Sequence, residues 1–321
     1  VFSSKSCKIV FIGDAGQLPP VGQELSPALQ GKTLKRIFPL MEIQECHLKE
    51  THRTHQFSSI LKNATKIRTL KTIEQPLINF IDESTLSIKG FEVHEKIENS
   101  YAEVGVENTI VLTLSNKQAN QWNTGIRKTL FFREDIIEKG ETLLVIKNNY
   151  FWINPTSPMG FLANGEVICV ERIIKYEKMY NRDFARIEVC FPSYPDLQNK
   201  EVLILLETLT IETASLGREK MKELFFEIEK DYLHISNKQM RYREILNNSY
   251  FNAIHVKYGY ASTVHKAQGG QWPHVYIDGS FIPDAMNDKS YLRWLYTAIT
   301  RSKDKLFLVN FSDSFFSKKS M

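Results

Sequence analysis

The amino-acid sequence predicts an α/β protein, in which a parallel sheet covered by helices carries a smaller, inserted β-rich module. Apolar strand-like runs alternate with helical patterns as far as residue 131 and again from residue 254 onward, which is typical of parallel sheets. Between them, from about residue 141, β-rich runs follow one another with turns such as NPTSPMG and LANGE. We therefore expect the inserted module over roughly 151–252.

The first part of the sheet is predicted from apolar runs and helical spacing. CKIVFIGD at 7–14 is a short apolar run that ends in Gly-Asp, as buried parallel strands do. MEIQECHLKE at 41–50 is a second extended stretch, and NTIVLTLSN at 108–116 predicts another strand, with a helix through KQANQWNTGIRKTLF. An earlier helix is predicted by apolar residues on one face, namely Phe57, Ile60, Leu61, Ala64 and Ile67.

The module and the return to the sheet follow in order. The module's strands are predicted from ETLLVIKNNYFW, GEVICVERIIKYE, FARIEVCF and KEVLILLETLTI. The charged segment 218–248 has apolar residues at helical spacing. The α/β pattern then resumes in IHVKYGYASTVHKAQGG, HVYIDG, YLRWLYTAITRS and KLFLVNF, which predict the remaining strands and helices of the sheet.

The composition narrows the class of protein but does not decide its function. The 321 residues are 42% hydrophobic and 24% charged, and the net charge of +4 permits nucleic acid as a partner without arguing for it. Cys7, Cys46, Cys169 and Cys190 form no C-x-x-C pair, which favours a reducing, cytoplasmic location over a zinc site or a disulfide framework. No apolar stretch approaches the roughly 18 residues of a membrane span, so we expect no membrane partner.

Polar residues gather where strands are predicted to end. In GDAGQLPPVG at 13–22, Gly13, Asp14 and Gln17 follow the first strand, and a glutamine there can donate to a phosphate oxygen and accept from a water. The alternative is a proline-braced loop in which Asp14 caps a turn. In HLKETHRTH at 47–55, Arg53 presents a planar, permanently charged fork suited to phosphate, and the alternative is a surface ion pair with Glu50.

Two further polar segments lie in the last part of the chain. In ASTVHKAQGGQWPHVYID at 261–278, polar side chains precede an apolar strand, and the adjacent glycines allow a close backbone approach. The residues of this segment are Thr263, His265, Lys266, Gln268, Gly269, Gly270 and Gln271. His255, His265 and His274 lack a recognisable ligand spacing, so no metal site is predicted. In LYTAITRSKDKLFLV at 295–309, Arg301 lies at the end of a helix, just before a buried strand.

Two segments imitate nucleotide-binding motifs. SPALQGKT at 26–33 ends like a P-loop in Gly31, Lys32 and Thr33, but Ser26 stands where the first glycine belongs and Pro27 offers no N–H. We expect it to be a surface loop. PLINFIDEST at 76–85 places Asp82 and Glu83 after an apolar run, and we expect a strand or linker with exposed carboxylates there.

Taken together and in this order, the four polar segments resemble the later motifs of superfamily 1 helicases, in the RecD-like and Dda-like branch. GDAGQLPPV is similar to motif III, LKETHRT to motif IV, TVHKAQGGQW to motif V and YTAITRS to motif VI. NTIVLTLSNKQANQWN resembles the strand and helix that open the second RecA-like domain of that family. The resemblance covers about 13–60, 108–130 and 255–310.

The resemblance implies a RecA-like fold of the P-loop NTPase type, with an inserted barrel similar to Src-homology-3 domains. Residues 1–45 would be the tail of the first RecA-like domain, 46–150 and 253–321 the second domain, and 151–252 the barrel module. Motif III is normally preceded by the P-loop and by the Asp-Glu that serves Mg²⁺. We therefore expect those motifs, and the rest of the first RecA-like domain, upstream of Val1.

The implied function is that of the C-terminal half of an ATP-dependent DNA helicase, which needs ATP with Mg²⁺ and moves on single-stranded DNA. The fragment alone is expected to hydrolyse no ATP. Two alternatives stay open. One is the motor subunit of a helicase–nuclease similar to the alpha subunit of exodeoxyribonuclease V, in a recombination or repair complex. The other is a non-catalytic DNA-docking module.

The resemblance also implies roles for single residues. Gln17, Arg53 and Arg301 match the groups aimed at the γ-phosphate, and Gln271 stands where relatives often place a ribose-binding Glu. The nucleotide-binding set is Gly13, Asp14, Gln17, Arg53, Gly269, Gln271 and Arg301. The DNA-binding set is Ser115, Asn116, Thr263 and His265, and Tyr150, Phe151 and Trp152 are stacking candidates for which core packing is the alternative.

Overall fold

Five parallel strands form the central sheet of the computed structural model, which describes residues 8–20, 22–48, 58–70, 77–80, 82–280 and 289–316. Its strands are β1 (Thr85–Ile88), β2 (Thr109–Thr113), β8 (Ala261–Thr263), β9 (Trp272–Asp278) and β10 (Ser302–Val309). They lie in the order β1-β10-β9-β2-β8, and all neighbours are parallel. All five residues of β2 are buried, as expected of a parallel strand covered on both faces. The predicted α/β fold is confirmed.

Helices cover both faces of the sheet. The α-helices are α1 (Gly31–Ile37), α2 (Ser59–Thr69), α3 (Val93–Val104), α4 (Asn116–Thr129), α5 (Arg218–Glu229), α6 (Lys238–Leu246) and α7 (Lys289–Ile299). Successive residues of β2 point to opposite faces. Ile110 and Leu112 join an apolar cluster with α2 and α7, whereas Val111 joins a second cluster with α3 and α4. The two faces therefore have separate cores.

Local side-chain caps explain where α4 and α2 begin. At α4, Ser115 and Gln118 form a reciprocal capping box, because the Ser115 hydroxyl accepts from the Gln118 N–H at 3.2 Å and the Gln118 side chain accepts from the Ser115 N–H at 3.0 Å. At α2, Ser58 caps the helix, and the Asp82 carboxylate accepts from the Ser59 N–H at 3.0 Å. Each cap stabilises its helix by about 1 kcal/mol.

The inserted module contains a closed five-stranded barrel. Its strands are β3 (Thr142–Val145), β4 (Val167–Met179), β5 (Arg182–Cys190), β6 (Lys200–Leu205) and β7 (Ile254–Tyr258), with α5 and α6 between β6 and β7. The strands reach beyond the predicted span of 151–252. The reason is that β3 closes the barrel by pairing antiparallel with β7, with Leu143 opposite Tyr258. A similarity to Src-homology-3 barrels stays a prediction.

A buried ionic network lies where the sheet and the barrel join. The Glu141 carboxylate is fully buried and accepts from Arg127 Nε at 3.1 Å, from Arg133 Nη1 at 3.2 Å and from the Tyr260 hydroxyl at 2.7 Å. Arg127 also lies over the Tyr258 ring, 4.4 Å from its centroid. The carboxylate raises the pKa of Arg127 against the opposing effect of burial. This network ties α4 to the strands that enter and leave the barrel.

Two predicted extended segments differ from the structure. Residues 8–14 and 41–48 form no strand, and Val10 and Ile12 are 78% and 90% exposed. An isolated strand cannot satisfy its backbone hydrogen bonds, and no described residue pairs with these runs as a neighbouring strand. The prediction of a buried strand at 7–14 is therefore wrong for the described part of that run. β1 and α3, in contrast, were not predicted.

Among the described residues, no helix combines the length and the apolar character that crossing a bilayer requires.

Candidate functional site

Three of the four predicted polar segments meet beside the C-terminal end of α7. The Leu18 N–H donates to the Thr297 hydroxyl at 3.0 Å, and the Leu18 carbonyl accepts from Gln268 Nε2 at 2.8 Å. Thr297 in turn accepts from Arg301 Nε through its carbonyl at 3.0 Å. The loop around residues 13–18 is thus clamped between the 264–271 segment and α7, although these stretches are far apart in the sequence.

Asp14 holds the shape of the first loop. One carboxylate oxygen accepts from the Gly16 N–H at 2.9 Å and pairs with Arg68 Nη2 at 3.1 Å, and the other accepts from the Tyr296 hydroxyl at 2.7 Å. Burial and the hydrogen bond to Asp14 raise the pKa of Tyr296 to about 12. The geometry matches the alternative interpretation of Asp14 as a turn cap. Arg68 and Tyr296 were missed, and no sequence signal distinguishes Arg68 from other helix-surface arginines.

Arg301 is buried rather than displayed. Its side chain is 2% exposed, Nη1 donates to the Gly270 carbonyl at 3.0 Å and Nη2 donates to the Thr300 hydroxyl at 3.0 Å. Together with the bond to Thr297, these contacts fasten the end of α7 to the segment that leads into β9. A contact between Arg301 and a phosphate requires that this guanidinium exchange some of these partners, and that role stays a prediction.

Gln17 and Gln271 have side chains available for a ligand. Both are half-buried, and their amides make no hydrogen bond with any described residue. Gly13 is exposed, and Gly269 has φ +89°, a conformation that favours glycine. At Gly270, an added Cβ would lie 2.4 Å from the Trp272 ring, so only glycine fits.

Arg53 and Glu50 lie outside the described residues, so neither the phosphate role nor the surface ion pair is tested. The two imitation motifs do lie within them. The expectation of a surface loop at 26–33 is wrong in part, because a short 3₁₀ helix at Pro27–Leu29 precedes Gly31, which begins α1. The Glu45 carboxylate lies beside Gly31 and would repel a phosphate bound there. Asp82 and Glu83 are exposed, and Asp82 caps α2 and binds Ser84.

The predicted DNA-binding residues lie at the end of β2 and β8. Ser115 and His265 are exposed, and Asn116 is half-buried and accepts from Lys257 Nζ at 3.2 Å. Thr263 is only 6% exposed and is paired with Thr113 across the two strands. Ser115, Asn116 and His265 can therefore reach a ligand directly, whereas Thr263 lies beneath them.

Two lysines lie behind this surface. Lys257 Nζ donates to the Ile211 carbonyl at 2.7 Å, and Lys266 Nζ donates to the Ala214 carbonyl. Burial lowers the pKa of Lys257 to about 8, and burial together with the charge of Lys257 lowers the pKa of Lys266 to about 8. Near neutral pH both remain charged, and they make this end of the sheet electropositive.

Of the three stacking candidates, Tyr150 is the best exposed. Its side chain is 67% exposed and its ring stacks on Phe161 with centroids 4.7 Å apart. Trp152 packs against the barrel core and donates from Nε1 to the Asn252 carbonyl at 2.8 Å. Phe151 is 40% exposed and lies edge-on to Trp152. The core-packing alternative therefore describes Trp152, and Tyr150 retains a free ring face.

His255 predicts a measurable pH dependence. Burial, with the charges of Lys147, Arg182 and Lys266, lowers its pKa from 6.5 to about 4. Between these values the unfolded chain binds a proton that the folded chain does not, so stability falls as the pH drops through this window. We expect a loss of about 3 kcal/mol from this residue. Denaturant unfolding at pH 7 and pH 4.5 measures it.

The control for that experiment is His94, which is exposed on α3. His255→Gln is expected to flatten the profile between pH 6.5 and 4, whereas His94→Gln is expected to leave it as in the wild type. Equal profiles for wild type and His255→Gln would contradict the prediction.

Among the described residues, no group of three or more His, Cys, Asp or Glu side chains is placed to hold a metal ion. Asp14 and Asp82, the acidic residues considered above, are each engaged by protein donors.

The family comparison covers only the last two of the four motif-like segments. Residues 258–309, which include β8, β9, α7 and β10, match the family model described as UvrD-like helicase C-terminal domain. The chain is also 23% identical over 355 residues to an uncharacterized protein, R530, of Acanthamoeba polyphaga mimivirus, which covers 93% of this chain and 68% of that protein.

Solved structures of Pif1 helicases are similar at low identity. The Candida albicans enzyme has a TM-score of 0.44 at 14% identity and covers 96% of this chain. A Bacteroides enzyme in complex with ADP-AlF3 and single-stranded DNA has a TM-score of 0.46 at 12% identity and also covers 96% of this chain. The chain spans 65% and 63% of these two structures, respectively. Residues 258–309 are thus similar to a helicase C-terminal domain, and the superfamily 1 assignment with its RecD-like and Dda-like branch stays a prediction.

Proposed function

We propose that this chain is the C-terminal motor portion of an ATP-dependent DNA helicase, in which ATP hydrolysis between two RecA-like domains drives movement along single-stranded DNA. The observation that carries the proposal is the clamp on Leu18. It joins the motif III-like loop to both segments of 258–309 that resemble motifs V and VI. A helicase needs these motifs side by side, because nucleotide state and DNA grip are coupled there.

The nucleotide would lie against the exposed side of this clamp. Gln17 and Gln271 have free amides that can donate to phosphate and ribose oxygens, and Gly13 and Gly269 allow close approach. Asp14 acts through the loop that it holds. Arg53 and Arg301 would supply positive charge to the transferring phosphoryl group. The P-loop and the Mg²⁺ ligands would come from the first RecA-like domain.

The exposed apolar run near the start of the chain fits that partner domain. Ile9, Val10, Phe11 and Ile12 are between 43% and 90% exposed. Apolar side chains in an unbroken run gain about 25 cal/mol for each Å² that a partner surface covers. In the proposal, residues 1–45 are the tail of the first RecA-like domain, and its other strands would cover this run.

The single strand would cross the end of β2 and β8. Asn116 and His265 offer neutral donors for the phosphate backbone, and Lys257 and Lys266 add positive potential from behind. Ser115 would have to exchange the bond that its hydroxyl donates to Gln118 Oε1 at 3.0 Å. Thr263 would set the position of the loop that carries His265. Neutral donors and few exposed cations bind a phosphate backbone weakly, so single-stranded DNA could move along this surface.

The burial of Arg301 favours one alternative, a non-catalytic module that keeps the fold for docking on DNA. The two functions differ in what Arg301 does when a nucleotide-binding domain is present, so substitution of Arg301 separates them. Neither function requires a role in repair or recombination, or a nuclease partner.

The proposal predicts weak, salt-sensitive binding of single-stranded DNA by the chain. Binding of a fluorescent oligothymidylate, followed by anisotropy, is expected to weaken at least about tenfold between 50 and 200 mM salt, because each phosphate contact contributes a slope of about −0.7. His265→Ala is expected to lower the affinity several-fold, whereas His94→Ala, on the exposed face of α3, is the matched control. No binding at all, or binding indifferent to salt, would contradict the proposal.

A further inference from the structure

Two cysteines face each other on neighbouring strands of the barrel. Cys169 of β4 is the direct partner of Cys190 of β5 in the antiparallel pairing of these strands. Residues opposite each other in such a pair have Cα atoms about 4.5–5.5 Å apart, and disulfide bonds join residues whose Cα atoms are about 4.4–6.8 Å apart. The β4–β5 pairing therefore holds the two cysteine backbones at a separation that a disulfide bond accepts.

The two thiols also lie on the same side of these strands. Ile168, Val170 and Val189 are buried and belong to the apolar cluster that fills the barrel. Side chains alternate between the two faces of a strand, so Cys169 and Cys190 both point outward, and both are half-buried. Both are free thiols, and each contributes to the pKa shift of the other. The register, the side-chain direction and the proximity therefore all indicate a facing pair.

The pair lies at the end of the barrel that joins the sheet. Cys169 is opposite Thr142 of β3, and Thr142 directly follows Glu141 of the buried ionic network. Cys169 is near the start of β4 and Cys190 is the last residue of β5, so a bond between them would enclose almost the whole β4–β5 hairpin. Closing such a loop lowers the conformational entropy of the unfolded chain and thereby stabilises the folded chain.

The surroundings make the pair slow to react. Burial raises the pKa of both thiols, and for Cys190 burial together with the hydrogen bond to Glu171 raises the pKa to about 12. Only the thiolate attacks a disulfide, so near neutral pH a very small fraction of each group is reactive. The pair is therefore suited to sustained contact with an oxidant, whereas a sensor of brief oxidative pulses needs a thiol of low pKa.

We propose that Cys169 and Cys190 are an oxidation site, at which a low-molecular-weight disulfide such as oxidised glutathione converts the two thiols into a cross-strand disulfide bond. One protein thiol loses its proton and attacks a sulfur of the oxidant, which releases one small thiol and leaves a mixed disulfide. The other protein thiol loses its proton and attacks the protein sulfur of that mixed disulfide, so the second small thiol leaves. Two electrons and two protons thus pass from the protein to the oxidant, and an excess of the small thiol reverses both steps.

The site agrees with the reducing location that the cysteine spacing favours. In a reducing location the pair stays as two thiols, and the bond forms when the small disulfide accumulates. The inference is independent of the proposed function, because it needs neither a nucleotide nor DNA.

The test oxidises the folded full chain with excess oxidised glutathione at about pH 8.5, blocks the remaining thiols by alkylation and maps the linked peptides by mass spectrometry without reduction. The mapping uses the wild-type chain and so does not depend on the folding of any variant. Thermal melting is then measured for the oxidised and re-reduced forms of the wild type, Cys169→Ser and Cys190→Ser. The matched control is Cys46→Ser, which removes an exposed cysteine outside the barrel.

The expected result is a single linked pair, Cys169 with Cys190, in the wild type and in Cys46→Ser. Oxidation is expected to raise their melting temperature by about 5 °C, and reduction is expected to restore it. Cys169→Ser and Cys190→Ser are expected to show no such rise. The rate of linkage is expected to increase about tenfold for each pH unit from 7 to 8.5, because the thiolate is the limiting species.

Three outcomes would overturn the inference. One is the absence of a link between Cys169 and Cys190 after prolonged oxidation of the folded wild type. Another is the persistence of mixed disulfides with glutathione at both residues, which would show that the two sulfurs cannot meet. The third is a linked pair that leaves the melting temperature unchanged, which would show that the bond does not constrain the chain.

Discussion

Replacing Glu141 with alanine is expected to lower the free energy of unfolding of this chain by about 3–5 kcal/mol. The carboxylate is fully buried and compensates two arginines, Arg127 and Arg133, whose side chains are only 9% and 11% exposed. Removing it leaves two cations in a poorly hydrated site and also leaves the Tyr260 hydroxyl without its acceptor. Urea unfolding followed by circular dichroism measures the change.

The control is the surface pair of Arg172 and Glu188, joined at 3.2 Å with side chains 65% and 31% exposed. Glu188→Ala is expected to cost at most about 1 kcal/mol, because water already solvates both groups. A Glu141→Leu, Arg127→Met double variant is expected to lose less than Glu141→Ala, since it leaves fewer uncompensated charges. Similar costs for Glu141→Ala and Glu188→Ala would show that the network is not a stabilising unit.

Arg301→Ala, in a protein that carries this chain together with a nucleotide-binding domain, is expected to lower DNA-stimulated kcat by roughly 10²–10⁴. This corresponds to about 3–5 kcal/mol of transition-state stabilisation. Its contacts with Gly270, Thr297 and Thr300 predict a second effect, a lower melting temperature, because the Gly270 and Thr297 carbonyls lose a donor. ATPase turnover per folded molecule and thermal melting separate the two effects.

Arg53→Ala provides the comparison. It is expected to lower kcat by a similar factor, and the double variant is expected to lose less than the product of the single effects, since both groups act on one charge. Arg301→Lys should rescue poorly, because an ammonium group cannot replace a guanidinium fork. If Arg301→Ala lowers the melting temperature but leaves turnover per folded molecule near normal, the residue is structural and the DNA-docking alternative gains support.

The α/β class and the helices α2, α4 and α7 were predictable because their periodicity is local. β2 is an unbroken apolar run, and α4 begins at a capping box that is visible in the letters SNKQ. The extent of the barrel was not predictable, because its closure depends on the pairing of β3 with β7 across more than a hundred residues. Apolar character alone also led to the wrong prediction of a strand at 8–14. A strand requires a neighbouring strand, and the local sequence cannot show whether one is present.

Part of the candidate site was likewise predictable from the sequence, and part was not. The motif-like segments identified the loop at 13–18, the 264–271 segment and the end of α7, and the structure brings these together at Leu18. The burial of Arg301 could not be predicted, because the side chain of a basic residue before a strand can be either buried or exposed. The ion pair of Arg68 with Asp14 arises only from the three-dimensional arrangement.

One apolar cluster runs from the α3 and α4 face of the sheet into the interior of the barrel. An insertion that shares its core with its host cannot melt independently, so the two parts form a single cooperative unit. A ligand that binds the barrel therefore also stabilises the sheet, and the free energy of unfolding of the chain should rise by RT ln(1 + [L]/Kd).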